Sequence, residues 1–160
     1  MYSSYVRGCG DITMKQLKIL TMLMVMALFA LPVGAQESNT DVIVAPASDT
    51  TPGGNNVIDT IGSVVQGETD YYYQDIPSVP RVWTDLNWGV PSNSLTLKVI
   101  TSEGTVLGPY RDSADGVTDG RIYLSFTKGG GGNFAAGKWK FEVYGESVSG
   151  SQTYSFDVWY

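Results

Sequence analysis

Arg81-Val-Trp-Thr-Asp-Leu-Asn-Trp88 puts Val82, Thr84, Leu86 and Trp88 on one side of an extended chain and Arg81, Trp83, Asp85 and Asn87 on the other. A period of two is the period of a strand with one face on a core and the other toward water. The same alternation runs outward from this stretch in both directions. Downstream, residues 94–101 turn Leu95, Leu97 and Val99 inward, and 121–127 do the same with Ile122, Leu124 and Phe126. Residues 138–144 bury Trp139, Phe141 and Val143 between Lys138, Lys140 and Glu142, and 152–159 bury Tyr154, Phe156 and Val158. Upstream, 57–65 and 70–76 alternate less strictly, and 105–107 supplies a short eighth strand. Turn chemistry falls between these runs, as in Gly67-Glu-Thr69, Pro77-Ser-Val-Pro80, Gly89-Val-Pro-Ser-Asn93 and Ser102-Glu-Gly104. About eight short antiparallel strands over residues 56–160 predict an all-β domain, a β-sandwich or jelly roll.

The chain before this domain has a different composition. Lys15 and Lys18 precede the apolar run of residues 19–31, and Val33 and Ala35 follow it. A basic start, about 13 apolar residues and small residues at a cleavage point describe a secretory signal peptide over residues 14–35. The run is shorter than the ~18–20 residues of a spanning helix. Met14 is the expected start, with residues 1–13 an upstream artefact that carries the single cysteine, Cys9. Residues 36–55, rich in Ser, Thr, Pro and Gly, read as a flexible leader. Their one apolar island, Val42-Ile-Val44, offers an alternative: a strand added to the domain's own sheet or to a neighbour's.

Charge and residue counts exclude several functions. Ten Lys and Arg against sixteen Asp and Glu leave a net charge of −6, the wrong sign for a nucleic-acid surface. There is no histidine, which removes the commonest general base and the commonest metal ligand. Lys128-Gly-Gly-Gly-Gly-Asn133 lacks the G-x-x-x-x-G-K-[ST] arrangement of a phosphate loop, opens no helix and reads as a hairpin connection.

Two candidate sites remain. Asp112, Asp115 and Asp119 lie in one glycine-containing loop, a calcium candidate by its oxygen ligands, though its spacing is not that of an EF-hand. Strand alternation also turns Trp83, Tyr123, Tyr144 and Trp159 away from the core, together with Tyr71 or Tyr73. Outward aromatics suit stacking on sugar rings or anchoring a protein partner.

The order Gly67-Glu-Thr-Asp70-Tyr-Tyr, Trp83 to Trp88, Leu95-Thr-Leu-Lys-Val99, Gly137-Lys-Trp-Lys-Phe-Glu-Val-Tyr144 and Tyr154-Ser-Phe-Asp-Val158 resembles the bacterial and archaeal pre-peptidase C-terminal domain. That resemblance implies a secreted jelly-roll sandwich without catalysis of its own. The expected function is therefore a non-enzymatic binding or accessory module at the cell surface or outside it, holding protein or polysaccharide. The alternative is a structural subunit of an envelope layer or sheath, in which identical sandwiches pair edge to edge. An enzyme is the least favoured class.

Overall fold

The computed structural model describes residues 41–47 and 54–160. The expected signal peptide, the start at Met14 and Cys9 lie outside the described residues. Nine strands are described: β1 (Val42–Pro46), β2 (Asn56–Val65), β3 (Thr69–Ile76), β4 (Arg81–Asn87), β5 (Ser94–Ile100), β6 (Val106–Tyr110), β7 (Arg121–Lys128), β8 (Gly137–Ser147) and β9 (Ser151–Trp159). Two short 3-10 turns, Asp112–Asp115 and Gly129–Gly131, are the helical content among the described residues. None is long and apolar enough to cross a membrane.

The strands form two antiparallel sheets, ordered β1-β7-β4-β9-β2 and β3-β8-β5-β6. Strands β2 to β9 pair first with last: β2 with β9, β3 with β8, β4 with β7 and β5 with β6. That nesting is the jelly-roll winding, in which one long antiparallel ribbon folds over to make both layers. The five-stranded layer gains β1 at its edge, in register with β7 from Val42 opposite Lys128 to Pro46 opposite Leu124. The apolar island of the leader is thus a strand of the domain's own sheet. Its Val42 and Val44 pack against the core, which is what tethers a stretch otherwise poor in apolar surface.

Every residue turned inward by alternation in β4, β5, β7, β8 and β9 is buried. Rings bridge the two layers: Phe141 of β8 lies 5.6 Å from Phe156 of β9, and Tyr72 of β3 lies 5.1 Å from the same ring. Phe134 closes the sandwich end with an edge contact to Trp139, their centroids 4.9 Å apart. Trp88 is buried too, its Nε1 donating to the carbonyls of Val90 and Asn93 and so fastening the loop after β4.

Candidate binding face

The outward aromatics divide between two opposite faces. Trp83 and Trp159 are directly opposite each other on neighbouring strands of the five-stranded sheet. Both rings are half-buried, with the Arg81 guanidinium 5.6 Å from the Trp83 ring centroid. Tyr123 lies on the same sheet but is only 6% exposed, which corrects its reading as an open platform. The reason is local. Strand β1 ends at Pro46, and beyond it the 112–115 turn packs on β7 in its place. Asp115 accepts the Tyr123 backbone N–H at 2.9 Å, the Ala47 N–H donates to the Tyr123 carbonyl, and the Arg121 guanidinium covers the ring at 4.4 Å.

Two of the three aspartates of the calcium candidate, Asp112 and Asp115, accept backbone N–H groups in building that turn. Asp112 is buried and accepts backbone N–H groups of Asp119, Gly120 and Arg121 at 3.1–3.2 Å. Asp115 also accepts the Val117 N–H. Gly120 holds a positive φ of 83°, and a Cβ there would meet the Val90 nitrogen at 2.7 Å, so glycine is required for this close approach. Asp119 contributes its backbone N–H to the set. Among the described residues no three acidic side chains converge in a geometry that would hold a metal ion.

Tyr144 is on the other layer, 39% exposed, and there it has company. Tyr71 and Tyr73 are both outward on β3, 54% and 57% exposed. Their spacing of two residues sets them about 7 Å apart along the strand. The register of β3, β8 and β5 arranges the outer face as three rows. Thr69, Tyr144 and Thr96 form the first, Tyr71, Glu142 and Lys98 the second, and Tyr73, Lys140 and Ile100 the third. Beside the first two rows is an open depression of about 230 Å³ lined by Thr69, Thr96, Lys98, Pro109, Glu142 and Tyr144.

Electrostatics organise this grid. Glu142 pairs with Lys98 on β5 and with Lys140 Nζ at 2.7 Å on its own strand. Burial pushes the Glu142 carboxyl up, but the two lysine hydrogen bonds outweigh it and hold the group below the ordinary carboxylate range. The same bond raises Lys140, whose ammonium also sits 4.5 Å from the Tyr71 ring centroid. The face therefore presents tyrosine rings and hydroxyls around a paired, ionised centre. Such a surface can stack on flat apolar faces of a ligand and exchange hydrogen bonds at its rim.

Alternation alone shows that these side chains point outward. It does not show that Tyr71, Tyr73 and Tyr144 share a face, because that depends on β3 pairing with β8, a partner more than sixty residues away. Lys140 and Glu142 share a face by alternation along β8, but they carry no motif, and only the cross-strand register adds Lys98 to them.

No family model matches the chain, and no curated protein matches it. Among solved structures the chain is similar to PliG of Aeromonas hydrophila, a periplasmic lysozyme inhibitor of g-type lysozyme. The identity is 18%, the match covers 72% of this chain and 93% of that chain, and the TM-score is 0.41.

Proposed function

We propose that this protein is a non-enzymatic binding module working outside the cytoplasm, of the kind that the pre-peptidase C-terminal resemblance implies. The outer face of the four-stranded sheet is its binding surface. One observation carries the reading: three exposed tyrosines, Tyr71, Tyr73 and Tyr144, share one sheet face with a salt-bridged Lys98–Glu142–Lys140 centre. Exposed aromatic rings on a flat sheet offer a stacking platform, while the hydroxyls and paired charges supply hydrogen bonds without a desolvated lone charge. Aliphatic side chains are nearly absent from the grid, Ile100 being the exception. That composition favours a hydroxyl-rich polysaccharide over the apolar centre of a protein partner.

Co-sedimentation with insoluble peptidoglycan, chitin and cellulose tests this. The wild-type chain should pellet with at least one of them. The Tyr71→Ala/Tyr73→Ala variant should melt at the same temperature and lose about tenfold or more in affinity. Failure to pellet with any of the three, or undiminished pelleting by the double variant, would reject the reading. Retention of Trp83→Ala on the same polymer would place binding on the tyrosine face and not on the opposite one.

A further inference from the structure

Of the four sheet edges, three carry features that discourage pairing with another chain. Strand β1 is five residues long and ends in Pro46, and β6 contains Pro109 and an irregular register against β5. Strand β3 carries Asp70 and Asp75 within eight residues. Proline, charge, bulges and short length are the usual protections of an exposed edge. Strand β2 has little of this. It runs ten residues, pairs with β9 on one side, and among the described residues no strand pairs along its other side. Its one irregularity is at its beginning, between Asn56 and Ile58. It has no lysine, arginine or proline, and its single charge is Asp59. Ile61, in the middle, is 77% exposed.

We propose that the free edge of β2 pairs with β2 of a second copy, antiparallel about a two-fold axis through Ile61. The register follows from the side chains. In-sheet pairing requires partners on the same face, so only registers that match outward with outward residues are allowed. With Ile61 opposite the partner copy's Ile61, Asp59 faces Ser63, Ile58 faces Val64 and Thr60 faces Gly62. Apolar then meets apolar, and the one charge meets a hydroxyl. Ser63 can serve both neighbours, because its oxygen accepts from Ser151, 2.6 Å away, while its own proton goes to Asp59. Moving two residues along the strand in either direction loses this match. One shift sets Asp59 opposite Ile61, and the other sets it opposite Val65. A two-fold through Asp59 would place two carboxylates face to face. An isologous contact of this kind closes on itself and yields a dimer, in which two five-stranded sheets become one continuous ten-stranded layer.

The test uses the full chain, expressed with its own leader and purified as the host processes it. Sedimentation velocity at about 100 μM should show a dimer, and Ile61→Lys, which sets two ammonium groups on the axis, should raise the dissociation constant about tenfold or more. Because Ile61 is exposed, the variant should fold with an unchanged melting temperature. In a Cys9→Ser background, Ile61→Cys should form an oxidised, covalently linked dimer, while Ser63→Cys should not, since its partner is Asp59. The dimer should survive Tyr71→Ala/Tyr73→Ala, which separates this contact from the proposed ligand face. A monomer at every concentration, a dimer indifferent to Ile61→Lys, or cross-linking through Ser63→Cys in preference to Ile61→Cys would overturn the proposal.

Discussion

Tyr154 of β9 donates its hydroxyl proton to Asp70 of β3 across the two layers, with Oη 2.5 Å from Oδ2. A tyrosine has one proton to give, so the Tyr72 hydroxyl, 2.8 Å away, donates to Tyr154. Burial and then the bond to Asp70 hold the Tyr154 phenol well above its ordinary pKa. Gly62 makes room for this chain of groups. A Cβ there would meet the Tyr154 oxygen at 2.4 Å and the Tyr72 oxygen at 2.7 Å. Tyr154→Phe should therefore cost about 1–3 kcal/mol by leaving Asp70 and Tyr72 without their partner. Gly62→Ala should cost a similar amount through overpacking. Urea titration of each variant checks this; two unchanged midpoints would show that the cluster contributes nothing to stability.

Trp139 is fully buried against Phe134 and Phe141, so Trp139→Ala should cost about 3–5 kcal/mol. Its Nε1 is also buried without a hydrogen-bond partner. Trp139→Phe, which deletes that N–H along with part of the ring, should consequently lose much less than Trp139→Ala. Chemical denaturation of both variants gives the ranking, and equal losses would contradict it.

Trp83→Ala should have an intermediate effect. A ring wholly in water would contribute almost nothing, but this one is half-buried beside Trp159 and under Arg81. The expected loss is about 1–2 kcal/mol, the value of partial burial of a large apolar side chain. A melting curve superimposable on that of the parent would mean that the ring is free in solution.

Asp59, Asp157 and Asp85 stand side by side across β2, β9 and β4. Burial first, and then the charges of Asp59 and Asp85, push the Asp157 carboxyl up, against a hydrogen bond from Asn56. Folded Asp157 thus keeps its proton to a higher pH than the unfolded chain does. Between the two pKa values the folded state binds more protons, so this group's contribution to stability falls as pH rises through that window. Asp157→Asn should raise the melting temperature at neutral pH and leave it nearly unchanged below about pH 3.5. A variant less stable than the parent at pH 7 would show that the charged form is the favoured one.

Most of the fold was legible because its signal is local. In Arg81–Asn87 or Ser151–Trp159 each buried residue is two positions from the next, and glycine or proline marks the breaks. The island at Val42–Pro46 was ambiguous for a physical reason: five residues cannot offset the entropy of ordering without a partner strand, and that partner is β7, about eighty residues on.

Local sequence pattern was enough to set the all-β class, most strand boundaries to within a few residues and the inward side chains of β4, β5, β7, β8 and β9, though not Phe134, which joins the core from a loop. Alternation between apolar and polar positions is written into neighbouring residues and needs no distant contact. Tertiary structure alone decided what the outward side chains amount to. Pairing of β3 with β8 gathered Tyr71, Tyr73 and Tyr144 on one face, while the 112–115 turn buried Tyr123 on the other. It also set Asp112 and Asp115 as acceptors for backbone amides of the 112–121 segment and of Tyr123. These outcomes depend on which strands become neighbours and in what register, and alternation along one strand carries no information about the next.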